Sequence, residues 1–304
     1  METSQPRERK IIALVTLFHP DRGNADNVRL IAGQASEVLL MDNTPGKDSS
    51  SLFGGIPGVR YFSSGRNLGL SAAFNRLLAL DVCRQSDFLI FFDQDSRVVP
   101  GQVGTLARDF EALEKSRRVG CLGPAFFEEN SGRLCGTWDD SAAAGNGCST
   151  VHATVTSSLM VRYRALEEAG FWNEHIFLDY ADLELCWRIG RAGYENFVSG
   201  NVVMRHRQGE GARRIFSPFS GSWLTVHYFK PARYYYQARE AVKLLRDPLV
   251  PGKRKPFLVR EALTRLLAVL LFPGKGSLSA AANWIKGIRD GLLRVDGPNL
   301  KGRT

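Results

Sequence analysis

The stretch that decides the fold is FLIFFDQDS, from Phe88 to Ser96. Its five apolar residues follow one another without alternation, which is typical of a strand covered on both faces of a sheet. Two carboxylates, Asp93 and Asp95, come directly after them. If the strand continues, both side chains point to the same face, and their repulsion and desolvation favour a bound cation, with Mg or Mn preferred. Ligands of open α/β sheets gather at this end of a strand. The alternative is a solvated turn, in which Asp is an ordinary residue.

The segments around this stretch alternate between strand-like and helix-like patterns. Predicted strands are Ile11–Phe18, Glu37–Met41, Val59–Phe62, Cys121–Phe127, His152–Val161 and Phe197–Met204. Predicted helices are Asn27–Ala35, Leu70–Leu80, 102–114 and Arg164–Ala169. Asp139–Thr150 is rich in Gly, Ala and Ser and is predicted to be a loop near a site. The alternation favours an α/β fold with a parallel sheet.

A second informative stretch is FLDYADLELCWR, from Phe177 to Arg188. One helical stripe would contain Leu178, Asp182, Leu185 and Ile189. Asp182 therefore stands where an apolar core residue is expected. A carboxylate at the edge of a cleft has a raised pKa, which suits a general base. The alternative is structural, with Asp179 as a helix N-cap and Asp182 paired with an arginine such as Arg188.

The charge of the chain is unevenly distributed. The 304 residues carry a net charge of +9. Residues 201–304 hold 20 Lys and Arg against 6 Asp and Glu, a balance of +14, whereas residues 1–200 hold 20 against 25, a balance of −5. Such an asymmetry suggests a surface that meets nucleic acid or anionic lipid. The five cysteines lack metal-site or redox spacing, and the polar N-terminus lacks a signal-peptide pattern, so we expect a cytoplasmic protein.

The last third departs from the α/β pattern. Helices are predicted over Phe257–Phe272 and about Leu278–Leu292, with wide apolar faces and the basic excess around them. Together with the aromatic cluster Tyr234–Tyr236, they suit helices lying on a membrane surface. They suit packing on the preceding domain or a homodimer contact equally well. The longest uncharged run, Leu266–Pro273, is too short to span a bilayer, which takes about 20 residues.

Several short motifs together resemble glycosyltransferase family 2, and most of all its bacterial rhamnosyltransferases. The motifs are FHP at 18–20, DN at 42–43, GRNLGLSAAFN at 65–75, FDQD at 92–95, GFWNE at 170–174, FLDYADLE at 177–184 with Arg188, and His206. The likeness covers about residues 10–245. It implies the GT-A fold, with 1–245 as the catalytic domain. Nucleotide-sugar binding would occupy about 10–115 and acceptor binding about 116–245, with 246–304 as a basic amphipathic helical extension.

The resemblance also implies roles for individual residues. Around the nucleoside of the donor it implies Phe18, Asp42, Asn43, Arg66 and Asn67. At the diphosphate and a Mg or Mn ion it implies Asp93, Asp95 and His206. On the acceptor side it implies Trp172 and Asp179. Asp182 matches the catalytic base, although Ala181 replaces the Glu that usually precedes it, which makes Asp179 the second candidate.

The activity implied by the resemblance is an inverting, metal-dependent sugar transfer. The donor would be dTDP-β-L-rhamnose, and the acceptor a lipid-linked saccharide of a surface polysaccharide such as O-antigen, reached at the inner face of the cytoplasmic membrane. A galactofuranosyl or other UDP-sugar transferase of the same fold is the nearest alternative. A nucleotidyltransferase would also use a metal-carboxylate pair, but it gives Asp182 no role. A nucleic-acid-binding protein is disfavoured because no recognised nucleic-acid module is visible.

Overall fold

The computed structural model describes residues 9–130, 132–135, 142–206, 209–217, 222–271 and 277–299. Its strands are β1 (Ile11–Leu17), β2 (Glu37–Asp42), β3 (Val59–Ser63), β4 (Phe88–Asp93), β5 (Val119–Glu128), β6 (Arg133–Cys135), β7 (Ala142–Gly145), β8 (Cys148–Val151), β9 (Leu159–Val161), β10 (Glu195–His206), β11 (Gly211–Ser217) and β12 (Ser222–Tyr228). Its helices are α1 (Arg22–Ala32), α2 (Leu70–Leu78), α3 (Asp81–Arg84), α4 (Gln102–Glu114), α5 (Tyr163–Ala169), α6 (Ala181–Arg191), α7 (Pro231–Arg246), α8 (Lys255–Leu271) and α9 (Ser277–Leu292).

The strands form one large sheet and a separate hairpin. The sheet has the order β3-β2-β1-β4-β9-β5-β10-β8-β7, with β6 on β5, and the hairpin pairs β11 with β12. Strands β1 to β4 are parallel to one another, as are β5 and β10, while β9 runs antiparallel between β4 and β5. The predicted mainly parallel central sheet is therefore confirmed.

Strand β4 occupies the centre of the molecule. Its five apolar side chains are fully buried and alternate between two cores. Phe88, Ile90 and Phe92 face the core that α1 and α4 cover, and Leu89 and Phe91 face the core that α2 and α6 cover. Each such side chain contributes about 1.5–3 kcal/mol when removed from water. The run without alternation is thus explained by helices on both faces of the sheet.

At Asp95 the structure shows the alternative of a turn, and two further predictions about local structure were wrong. Strand β4 ends at Asp93 and the chain turns at once, with the backbone N–H of Ser96 donating to the Asp93 carbonyl at 3.1 Å, so Asp95 lies in a turn and not on the strand. Only Leu159–Val161 of the predicted strand 152–161 pairs with neighbours. Residues 142–150 of the predicted loop instead belong to the hairpin of β7 and β8 at the sheet edge, and residues 139–141 of that loop lie outside the described ranges.

The C-terminal helices α8 and α9 pack on the elements that precede them in the chain. Helix α9 lies along α7, and α8 contacts both α7 and β12. Gly287 permits the close approach of α9, since a Cβ there would lie 2.3 Å from the carbonyl oxygen of Tyr235. Trp284 and Tyr234 share a small core with Phe229 at this contact.

Candidate active site

A cleft of about 1430 Å³ opens at the carboxyl ends of β1, β2 and β4. Parallel strands end together at this edge of the sheet, so side chains just beyond them converge. One wall carries Phe18 and Asn43, which follow β1 and β2, with Arg66 and Asn67 from the loop after β3. The opposite wall comes from the start of α6, from α7 and α8, and from the tail after α9.

The glycine-rich loop before α2 is fixed against the opposite wall. The Asn67 side chain accepts from the N–H of Gly69 at 3.0 Å, and Asn43 Nδ2 donates to the Gly69 carbonyl at 3.1 Å. Gly69 has φ +82°, and a Cβ there would lie 2.5 Å from the Phe177 carbonyl oxygen. Glycine is therefore required at this close approach.

Asp93 and Asp95 line the cleft at the end of β4. Asp93 Oδ2 accepts from the Ser157 hydroxyl at 2.9 Å, and the Asp93 N–H donates to Ser96 Oγ at 3.0 Å. Burial, then the charge of Asp95, raises the pKa of Asp93 to about 7. Asp95 is exposed on the turn. The two carboxylates thus repel each other across a site that a hard cation would suit.

Asp182 lines the same cleft from the first turn of α6. Its Oδ1 accepts from the N–H of Leu183 at 2.9 Å, and its Oδ2 accepts from the N–H of Thr156 at 3.3 Å. Burial is the main cause that raises its pKa. The charge of Asp182 in turn contributes to the raised pKa of Asp93, so the carboxylates share one electrostatic environment. Arg188 pairs with Glu184 at 2.7 Å, which corrects the alternative pairing of Arg188 with Asp182.

Asp179 is an ion-pair partner and not a helix cap. The N-cap of α6 is Tyr180, whose side chain makes no capping bond. Asp179 Oδ1 accepts from Nε of Arg233 at 3.1 Å and lies 3.0 Å from its terminal nitrogen. Asp182, in contrast, accepts from two backbone N–H groups, so the two carboxylates are held differently.

A buried carboxylate on α7 holds the loop that carries Asp179. Glu240 accepts from the N–H groups of Phe177 at 3.0 Å, Leu178 at 3.3 Å and Asp179 at 2.6 Å. It also pairs with the buried Arg239 at 3.0 Å. Burial, then the charge of Asp179, raises the pKa of Glu240 to about 7. No local sequence pattern indicates this contact, because more than 60 residues separate the partners.

Two predicted site residues do not line the cleft. Asp42 is fully buried, where its carboxylate accepts from the Tyr61 hydroxyl at 2.7 Å and from the N–H of Thr44 at 2.8 Å. Trp172 is 2% exposed and packs in the core against Phe74 and Phe91. Neither side chain presents surface to the cleft, and the roles of Asp42 at the base and of Trp172 at the acceptor stay predictions.

Of the predicted metal ligands, Asp93 and Asp95 both line the cleft. Within the described ranges, no group of three His, Cys, Asp or Glu side chains is arranged to hold a metal ion. His206 ends β10, and its side chain lies outside what the structure describes. The cleft residues that the sequence analysis did not single out include Arg233 on α7 and Glu261 and Arg265 on α8. A periodic sequence pattern predicts which residues share a face of a helix, but it does not predict which part of the protein that face contacts.

Comparison with known proteins identifies the fold. No protein-family model matches the chain. A curated protein, dTDP-rhamnosyl transferase RfbF of Shigella flexneri, is 23% identical over 299 residues, which cover 94% of this chain and 97% of the relative. The solved structure of S. aureus TarS 1-349 in complex with UDP-GlcNAc matches with a TM-score of 0.54 and 14% identity, over 94% of this chain and 81% of that one.

A second solved structure, GalNAc-T7 with UDP, GalNAc and Mn²⁺, matches with a TM-score of 0.52 and 13% identity over 84% of this chain. The match spans only 55% of the GalNAc-T7 chain. The neighbours confirm the predicted GT-A fold. The sequence relative confirms the predicted resemblance to rhamnosyltransferases and, with it, the assignment as a glycosyltransferase. None of the helices in the described ranges is both long and apolar enough to cross a membrane.

Proposed function

We propose that this glycosyltransferase moves L-rhamnose from dTDP-β-L-rhamnose to a lipid-linked saccharide, with inversion at the anomeric carbon. The observation that carries the proposal is the placement of Asp182 in one cleft with Asp93 and Asp95. A cleft with a cation site and a separate base suits displacement of a nucleoside diphosphate by a hydroxyl group. The choice of rhamnose rests on the likeness to the Shigella flexneri dTDP-rhamnosyl transferase over nearly the whole chain.

Asp182 would act as the general base. The acceptor hydroxyl oxygen forms a bond to the anomeric carbon, its proton passes to Asp182, and the bond from that carbon to the diphosphate oxygen breaks. With one base and no enzyme nucleophile, a single displacement converts the β-linked donor into an α-L-rhamnosyl product. The raised pKa of Asp182, caused by burial, makes it a stronger base than an exposed aspartate.

The donor would lie along the wall built by Phe18, Asn43, Arg66 and Asn67, with its diphosphate at Asp93 and Asp95. The oxygen atoms of Asp93 and Asp95 suit Mg or Mn as ligands, because a cation between the two carboxylates offsets their repulsion. A bound divalent cation supplies charge stabilisation to the leaving diphosphate. His206 remains the proposed third contact. Asp42 would support this wall from below through Tyr61 and Thr44.

A membrane-bound acceptor would require the enzyme to approach a lipid surface. Helix α9 presents an exposed apolar stripe, with Leu278 87% exposed, Ile285 68% and Leu292 54%. The basic charge of residues 201–304 favours anionic lipid. We therefore place the chain in the cytoplasm, peripheral to the inner face of the membrane through this stripe.

The function is tested by incubating the purified protein with dTDP-β-L-rhamnose, UDP-galactofuranose, UDP-glucose and UDP-GlcNAc, each with Mg or Mn. Mass spectrometry then follows the released nucleotide and any glycosylated product. Release of dTDP well above the other nucleotides is the expected result. Turnover of a UDP-sugar with none of dTDP-rhamnose would contradict the donor assignment.

A further inference from the structure

The cleft wall formed by the start of α6 and by α8 contains buried polar atoms that make no hydrogen bond within the protein. Among the described residues, Asp179 Oδ2, Tyr180 OH and Arg265 Nε have no hydrogen-bond partner although all three atoms are buried. Asp179 and Arg265 are each only 9% exposed, and all three residues line the cleft. Leaving such a group unsatisfied costs about 1–3 kcal/mol. Three such atoms on one wall indicate that a ligand completes their hydrogen bonding.

The contacts of the Arg265 guanidinium leave its Nε–H without a hydrogen-bond acceptor. The guanidinium lies over the Phe229 ring at 4.4 Å, and its terminal nitrogen donates to Glu261 at 3.2 Å. Stacking and the ion pair hold the group in place while Nε remains unsatisfied. The charges of Arg265 and Glu261 act on the pKa of Tyr180, which burial raises, so these side chains are close enough to interact.

The unsatisfied atoms differ in their hydrogen-bonding character. Arg265 Nε–H is a donor, Asp179 Oδ2 is an acceptor, and a tyrosine hydroxyl can be either. A sugar hydroxyl also donates and accepts, so a ring with several hydroxyl groups would satisfy all three. Phe257, beside them on the cleft wall, offers an apolar surface to such a ring. Asp182 is only two residues from Tyr180 and lines the same cleft.

We propose that Tyr180 and Arg265 join Asp179, which the resemblance already implies on the acceptor side, in a subsite for a neutral pyranose ring of the acceptor, so that helix α8 takes part in acceptor recognition. This inference rests on the proposed function and adds Tyr180, Arg265 and the chemistry of the bound ring. The saccharide would lie between the start of α6 and α8, with one hydroxyl directed to Asp182. The wall with Phe18 and Arg66 would remain for the donor.

The test uses Tyr180→Phe, which removes only the unpartnered hydroxyl, and Arg265→Lys, which keeps the charge and removes Nε–H. The probes are octyl glycosides of α-L-rhamnose, β-D-galactose, β-D-glucose and β-D-N-acetylglucosamine, with binding followed by saturation-transfer NMR and calorimetry. For a glycoside that the native protein binds, each variant should weaken its affinity about five- to tenfold, which corresponds to one lost hydrogen bond. The affinity for dTDP should change by less than about twofold, within the scatter of such comparisons.

Tyr163→Phe is the matched control, since Tyr163 packs against Phe171 outside the cleft and should leave both affinities unchanged. Thermal unfolding confirms that each variant is folded. The subsite proposal is overturned if the native protein binds dTDP but none of the glycosides, if both variants bind glycosides as the native protein does, or if they lose dTDP instead. Failure of the proposed function appears separately, as a native protein that neither binds dTDP nor turns over dTDP-rhamnose.

Discussion

The backbone N–H of Asp179 donates to Oε2 of Glu240 across 2.6 Å, which ties the loop before α6 to helix α7. Two further N–H groups of the same loop donate to this carboxylate. Arg239, the partner of Glu240, donates to the carbonyl of Gly297 at 2.6 Å. One buried ion pair therefore positions both the loop before Asp182 and the C-terminal tail that lines the cleft.

Glu240→Gln should flatten the dependence of stability on pH. Because the pKa of Glu240 is about 7 in the folded protein and near 4.5 when unfolded, the folded state binds the proton more tightly. This contribution is fully present below pH 4.5 and is lost as the pH rises through 7. The native protein should lose up to about 3 kcal/mol relative to the variant across that range. Urea unfolding between pH 4.5 and 8 measures the difference.

Glu167→Gln is the control for that measurement, because Glu167 is an exposed glutamate 52% accessible at its side chain. Its difference from the native protein should stay constant over the same pH range. Parallel pH profiles for native and Glu240→Gln protein would show that the Glu240 carboxyl does not titrate as proposed.

Sequence patterns predicted those parts of the fold in which local periodicity and burial agree. Helix α4 matches its predicted bounds, and the run before Asp93 lies in the central strand. The sequence pattern did not predict the structure where the pairing of strands decides which residues form a strand. Residues 152–158 have strand-forming side chains, but the register with β4 and β5 begins only at Leu159.

The candidate site was predictable on the sheet side of the cleft and at the start of α6, where Asp179 and Asp182 line it. Motifs after β1, β2 and β4 lie where parallel strands end, so topology alone brings them together. The contributions of α7 and α8 depend on contacts across long sequence separations, such as those of Glu240 and Arg265. The burial of Trp172 likewise follows from packing against Phe74 and Phe91, which no local pattern encodes.

Asp182→Asn should reduce sugar transfer by about 10²–10⁴-fold, the usual contribution of a general base. The affinity for dTDP should remain close to native, since the substitution keeps the shape of the side chain. In the native enzyme, kcat should rise with pH through the raised pKa of Asp182, and this rise should disappear in the variant. Steady-state kinetics from pH 4.5 to 8.5 with saturating donor provides the measurement.

Asp179→Asn is the companion variant, because it removes the partner of Arg233 without touching Asp182. Its main effect should be a higher KM for the acceptor. If Asp179→Asn abolishes transfer while Asp182→Asn leaves more than a tenth of it, the base is Asp179.

Asp95→Ala should remove the dependence of dTDP binding on Mn²⁺. Native protein should bind dTDP at least about tenfold more weakly after EDTA treatment, since even indirect damage to a metal site typically costs 10–100-fold. The variant should bind with the weaker affinity whether or not the ion is present. Calorimetric titration with and without Mn²⁺ measures both affinities.

Asp26→Ala, which removes an exposed acid in a surface ion pair, is the control. A native protein whose dTDP affinity ignores EDTA would refute the metal role.

Ile285→Glu combined with Leu292→Glu should weaken binding to anionic vesicles at least about tenfold, because two apolar side chains then no longer enter the lipid and each buried one contributes roughly 1.5–3 kcal/mol. Both residues are exposed on α9, so the fold should survive. Co-sedimentation with vesicles of phosphatidylglycerol and phosphatidylethanolamine measures the binding.

Ser279→Glu is the control, because it adds a negative charge to the same helix beside the stripe and should weaken vesicle binding much less. Equal binding by native and doubly substituted protein would exclude the stripe as the lipid contact, and a native dimer that the double substitution separates would assign the stripe to a second copy of the chain.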